Sequence, residues 1–213
     1  MIIIILSKLW TKMNIPLFPL QTVLFPGGPL SLRIFERRYL DMISECLRSN
    51  QLFGIVLNNQ LPNSDEKNFC KMGTLAQIVD WDQGTDGVLG LKVIGNDRFL
   101  LTNYDQDENG LNIGEVKVIE SEKKLLLPEE YMTLSSILKS ILDEFSELYT
   151  SVKKDFNDAS WVGYRLAEIL PIELSQKQIY LEIEEPFDRL ELLNTFMKAN
   201  QEFLTLPKNS TLQ

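Results

Sequence analysis

The chain has 213 residues, room for one or two domain cores, and its 44% apolar and 24% charged side chains place it among folded globular proteins. Its net charge of −9 is acidic in both halves, so neither half has the basic excess that phosphate contacts need, and nucleic acid is disfavoured as a partner. There is no histidine, and two cysteines, Cys46 and Cys70, stand without a C-x-x-C pairing, which removes the commonest general base, leaves zinc without an ordinary donor set and points to no metal or cofactor.

In chain order, Ile2 to Leu6 form an apolar run far too short to span a membrane, with neither the basic start nor the cleavage site of a signal peptide. Residues 1–13 are expected to be an extension outside the domain or the product of an upstream start codon; the competing expectation is an extra edge strand. Ile15, Leu17 and Phe18 predict a strand. Pro16 and Pro19 remove ladder donors, which puts that strand at an edge or beside a bulge. Pro26-Gly27-Gly28-Pro29 must be a tight loop. Leu30, Leu32 and Ile34 alternate with Ser31, Arg33 and Phe35, as in a half-buried strand.

Residues 37–48 follow with helical spacing at Tyr39, Leu40, Ile43, Cys46 and Leu47. Leu52 to Leu57 is a continuous apolar strand. Residues 58–70 read as a polar loop that includes Cys70. Strands are expected at 73–81, 88–94, 98–102 and 113–119. The turns between them lie at 82–87 and 105–110, with Gly95-Asn96-Asp97 as a break. Short strands, glycine turns and one helix imply a small, strongly curved barrel over residues 14–120.

The periodicity then changes. Residues 121–127 read as a linker and 128–206 as helical. A helix over 129–149 is expected to bury Leu134, Ile141 and Phe145. Asn157 or Asp158 can cap a helix that carries Trp161, Val162, Leu166, Ile169 and Leu170 and stops before Pro171. Helices at 175–183 and 187–205 follow, the latter with Phe187, Leu190, Leu193, Phe196, Met197 and Phe203 on one face. Residues 207–213 form a polar tail.

The sequence has no G-x-x-x-x-G-K-[ST] phosphate loop. Without histidine it has no Ser-His-Asp or Cys-His constellation. Asp80, Asp82 and Asp86 gather around one turn, where a carboxylate pair could do acid–base chemistry, but a solvated acidic turn accounts for them better. Catalysis is therefore not expected. Recognition is, and its candidate residues are Phe25, Phe35, Trp81, Trp161 and Arg38, because aromatics and arginine carry most binding energy at interfaces. Arg38 with Glu36 also reads as a structural pair at the strand-to-helix turn.

The opening I-P-L-F-P-L at 15–20, V-L-F-P-G at 23–27, the Ile34–Tyr39 turn with Phe35-Glu36-Arg37-Arg38-Tyr39, and Phe53-Gly54-Ile55-Val56 resemble the LON substrate-binding domain, the N-terminal domain of the ATP-dependent protease Lon. Later pieces extend the resemblance to about residues 14–205: Tyr164-Arg165-Leu166-Ala167, Leu170-Pro171, Lys177-Gln178-Ile179-Tyr180-Leu181-Glu182 and Arg189-Leu190. The resemblance implies an α+β protein, with a PUA-like β-barrel carrying one helix followed by a C-terminal α-helical bundle. It also implies a non-catalytic, cytoplasmic module that holds exposed or unfolded polypeptide, with a protease as a conceivable partner. The alternative is an RNA-binding module of the PUA-like class, and a small-molecule pocket is a third.

Overall fold

The computed structural model describes residues 12–58, 69–84, 88–144, 149–150 and 152–200. They form a mixed α+β structure in two compact units that meet in sequence between Ser121 and Glu122.

The first unit holds six strands and one helix among its described residues: β1 (Lys12–Leu20), β2 (Pro29–Ile34), α1 (Arg37–Ser49), β3 (Phe53–Asn58), β4 (Phe69–Gln83), β5 (Leu89–Gln106) and β6 (Asn112–Val118). The sheet order is β2-β5-β4-β3-β1-β6, and β5 also pairs with β6. That last pairing closes β5, β4, β3, β1 and β6 into a ring, with β2 attached outside on β5.

Two long strands make closure possible by changing partners. β5 pairs with β2 through Leu89–Ile94 and with β6 through Phe99–Gln106. The expected break at Gly95-Asn96-Asp97 is therefore no break; the strand runs on through it. Gly95 instead marks where the Pro26–Pro29 loop crosses β5. The Gly27 amide donates to the Gly95 carbonyl (2.7 Å), and the Gly95 amide donates to the Gly28 carbonyl (2.9 Å). A Cβ at Gly95 would collide with the backbone carbonyl of Phe25.

β1 is likewise not the edge strand that its prolines suggest. Residues 12–17 pair antiparallel with β6, and residues 17–20 pair parallel with β3. Each half thus has one open side, where a missing proline donor leaves no ladder bond unmade. Its start at Lys12 also takes Lys12 and Met13 out of the expected extension; Ile2 to Leu6 lie outside the described residues. Cys70, expected in a loop, is the second residue of β4.

Two cores result. Ile15, Leu17, Val56, Phe69, Leu75, Phe99, Leu101 and Val116 fill the interior of the ring. Alternate positions on the same strands, such as Phe18, Ile55 and Ala76, face α1 through Tyr39, Met42, Ile43 and Cys46. Burial on both faces explains why β3 reads as an unbroken apolar run. In α1 the expected stripe holds at Tyr39, Ile43 and Cys46, but Leu47 is exposed and Met42 is buried in addition. Asn50 closes the helix in the left-handed conformation (φ 53°), its amide bonded to the Cys46 carbonyl.

The second unit contains a 3-10 turn at Glu129–Tyr131, then α2 (Met132–Glu144), α3 (Ala159–Ile169), α4 (Leu174–Glu182) and α5 (Pro186–Ala199). Asp158 caps α3 by accepting from the Ser160 amide. α2 buries Leu134, Leu138 and Leu142, while Ile141 is only half-buried; Phe145 and Phe203 lie outside the described residues. Phe187 leaves its expected stripe and is exposed, while Arg189 is buried beside Leu190.

Arg189 and Arg165 are both fully enclosed. Arg189 grips Glu122 with two nitrogens, donates to the carbonyls of Tyr180 and Ile183, and stacks 3.8 Å over the Tyr164 ring. Arg165 pairs with Glu168 at 2.7 Å, and Glu168 also accepts from the Tyr149 hydroxyl. Burial and that carboxylate push the Tyr149 phenol well above its ordinary pKa.

Candidate functional site

At one end of the ring a groove of about 400 Å³ opens between the end of β1, the β2–α1 turn, the end of β3 and the starts of β4 and β6. The strand alternation that buries Ile34 turns Arg33 and Phe35 outward, so Phe35 stands 74% exposed at its rim. Phe18, Tyr39, Phe69 and Asn112 are buried lining residues; Phe18 and Tyr39 belong to the core against α1, and Phe69 to the core inside the ring. The Phe18 and Tyr39 rings lie 4.3 Å apart, which gives this wall an aromatic face. Asn112 is fixed by the Gln106 amide at 3.1 Å.

Arg38 is held rather than loose. One nitrogen donates to Glu36 (2.6 Å), another to the Gly110 carbonyl in the β5–β6 turn (2.9 Å), and the guanidinium sits 4.7 Å over Tyr39. It therefore fixes the start of α1 to the turn at Gly110 while still lining the groove. Burial raises the Tyr39 phenol pKa; the nearby Arg38 charge works against that rise and Glu36 with it.

Of the five residues singled out in the sequence, the groove brings together Phe35 and Arg38. Phe25 does not belong to any surface: its side chain is fully buried beneath the loop that crosses Gly95. Trp81, 56% exposed, stands near the end of β4 opposite Leu91, on the same unit but outside the groove lining. Trp161 is in the second unit, half-buried, with its indole edge against Phe156 at 5.2 Å. Asp80 bonds Lys92 at 3.2 Å and accepts from the Trp81 amide, and Asp86 lies outside the described residues.

Sequence reasoning missed Phe18, Phe69 and Asn112 as groove residues. Phe18 lies in the I-P-L-F-P-L opening, where it reads as a strand residue, and Phe69 and Asn112 bear no motif; what joins the three is pairing between strands distant in the chain. Arg33 left a trace, as a cation two positions from Phe35 on the outward side of a strand.

Among the described residues no cluster of three or more His, Cys, Asp or Glu is placed to hold a metal, and no helix is long and apolar enough to cross a membrane.

A family model described as the ATP-dependent protease La (LON) substrate-binding domain matches residues 14–199. The Lon protease of Bacillus thuringiensis (strain Al Hakam) is 24% identical over 208 residues, covering 91% of this chain and 25% of that protein. Lon protease 1 of Hydrogenovibrio crunogenus is 26% identical over 194 residues, covering 84% and 23%. The chain thus spans about a quarter of the length of these curated relatives. A crystal structure of a Lon N-terminal domain protein from Xanthomonas campestris superposes with a TM-score of 0.72 at 36% identity, covering 86% of this chain and 98% of that one. The N terminal domain of a Mycobacterium avium complex Lon protease shares the fold, with a TM-score of 0.61 at 16% identity.

Proposed function

The chain belongs to the ATP-dependent protease La (LON) substrate-binding domain family, and on that premise we propose that it binds exposed or unfolded polypeptide segments in the groove beside Phe35. In fold terms we read the first unit as a PUA-like barrel and the second as a helical bundle. The module has no catalysis of its own in this reading. It works in the cytoplasm as a recognition element, and an adaptor role toward a protease is the extension we favour.

The observation that carries the reading is the exposed Phe35 ring at the mouth of a groove walled by buried aromatics. An apolar side chain of a client can leave water there at roughly 25 cal/mol per Å² of apolar area. Ordering of the client offsets much of that gain, so affinity is modest. Trp81 is a second contact on the same unit. Phe25 is fully buried and is left out of the proposed surface; Trp161, half-buried in the second unit and packed on Phe156, is not part of the proposed groove.

The deciding experiment titrates the protein with an unfolded polypeptide and with single-stranded RNA, each at low and moderate salt. Polypeptide binding that falls with Phe35→Ala and changes little with salt supports the reading. Tight RNA binding with a steep salt slope and no polypeptide binding would replace it with the RNA-binding alternative, which the net charge and the protease names of the relatives do not favour.

A further inference from the structure

We propose, resting on the reading of Trp81 as a polypeptide contact, that the outer half of β4 takes an extended client segment as an added strand. The client sets an apolar side chain against Trp81 and a lysine or arginine beside Asp82. Over this stretch β4 is paired on one side only. β3 covers it from Phe69 to Ala76, while Gln77 to Gln83 pair with β5 alone among the described residues.

The hydrogen-bond phase of the sheet shows which main-chain groups are left outward. Gly95 exchanges its bonds with Gly27 and Gly28, on the β2 side. Main-chain direction alternates along a strand, so Leu91 and Leu89 also turn to β2, while Lys92 and Gly90 turn to β4. Trp81 and Gln83 lie opposite Leu91 and Leu89, and their own N–H and C=O groups therefore point away from β5. The Trp81 amide agrees with this phase: it donates to the Asp80 carboxylate at 3.0 Å in place of a strand partner. The Trp81 carbonyl and both main-chain groups of Gln83 remain as a template for a further strand.

The two faces beside that edge differ. Trp81 shares a face with Leu91 and Leu32, its neighbours across the sheet, and Leu91 is buried in the core against α1. That apolar row ends at the exposed Trp81. Asp80 and Asp82 stand on the opposite face. Lys92 holds Asp80 at 3.2 Å, whereas Asp82 is exposed and has no ion pair among the described residues. An added strand alternates its side chains at the same repeat, so apolar and basic residues in turn complement both faces. A second copy of the chain fits worse. Two β4 edges paired antiparallel about Trp81 would set Asp80 of one copy opposite Asp82 of the other, and like charges so placed repel.

The test is fluorescence anisotropy of the whole chain with four short peptides. The parent alternates valine with lysine. Two derivatives carry backbone N-methyl groups, one on the valines and one on the lysines, and the fourth has glutamate in place of lysine. One alternate set of amides faces the edge. One N-methylated peptide should therefore bind about three- to tenfold more weakly, the worth of a net hydrogen bond, and the other should match the parent. Gln83→Pro removes an outward donor that the β5 ladder does not use. It should weaken the parent peptide to a similar extent at unchanged thermal stability. Glutamate should cost about threefold at low salt and less at high salt.

Equal binding of the two N-methylated peptides, with Trp81→Ala still weakening the parent, overturns strand addition and leaves polypeptide binding standing; this comparison holds even if Gln83→Pro perturbs folding. A glutamate peptide that binds as well as the parent overturns the basic preference. Binding by no peptide overturns the underlying reading as well. A dimer in solution that Gln83→Pro dissolves would assign the edge to a second copy, and the client proposal would be wrong.

Discussion

Arg189 and Glu122, 67 residues apart in the chain, meet through two contacts of 2.5 and 3.2 Å inside the helical unit. Burial alone would raise the Glu122 pKa. The hydrogen bonds and charge of Arg189, with the Tyr164 hydroxyl, outweigh burial and hold it below the usual carboxylate range.

Glu122→Gln should therefore destabilise the protein at neutral pH by about 3 kcal/mol, the cost of leaving a buried arginine without its charge partner. Because folding lowers this pKa, the contribution is complete above the unfolded value of about 4.3 and is lost as pH falls from there through the folded value. Urea denaturation of both proteins at neutral and acidic pH measures this. A gap that stays constant across that range would refute the assignment.

Gly95→Ala should cost about 2 kcal/mol, since a Cβ there meets backbone rather than a side chain that can swing away. The loss should appear as a lower denaturant midpoint with an unchanged slope. An alanine variant as stable as the parent would mean that the Gly27–Gly95–Gly28 crossing does not constrain the loop.

Phe35→Ala and Trp161→Ala should part company. Phe35 is a surface side chain, and its removal should shift stability by no more than about 0.5 kcal/mol while weakening polypeptide binding. Trp161 packs edge-on against Phe156, so its removal should lower the melting temperature of the helical unit. Thermal melts alongside binding titrations separate the two effects. A Trp161 variant that melts normally yet binds weakly would return that residue to the binding surface.

Cys46 is shielded. Burial pushes its thiol up to about 11, with Glu45 adding to the rise, so the reactive thiolate is scarce at neutral pH. In the native protein a maleimide should modify Cys70 well before Cys46, and denaturant should erase the difference. Peptide mapping by mass spectrometry reads the order directly.

The strand-rich first half and helical second half were legible because period-2 and period-3.6 patterns change near residue 121. Local chemistry also located α1 and the end of α3 before Pro171, and narrowed the α3 cap to Asn157 or Asp158, of which Asp158 is the one used. Long-range pairing was not legible. Pro16 and Pro19 argued for an edge, and only the hand-over of β1 from β6 to β3 at Leu17 shows how a strand of the closed ring tolerates them. Phe25 looked like a surface aromatic beside a loop, yet that loop folds down onto β5 and covers it. Arg189 and Arg165 interrupt apolar stripes, and charge alone gives no hint that such residues lie at zero exposure until their carboxylates are placed. For the groove, Phe35 and Arg38 were visible through one short motif, while Phe18, Phe69 and Asn112 reach it from strands that no local pattern connects.

The partner change in β1 has a consequence for how the chain is made. The first strand finds its antiparallel neighbour only in β6, so contacts such as Lys12 to Glu115 join residues 103 positions apart. On a ribosome, β1 through β5 emerge while the N-terminal half of β1 and the C-terminal half of β5 still lack their common partner. Those two open edges persist until β6 arrives, and a single late strand then satisfies both. Ring closure should accordingly be slow and tied to completion of β6, as expected when pairing is dominated by distant residues. A nascent chain stalled before Asn112 presents two unpaired strand edges at once, and such edges invite pairing with other chains.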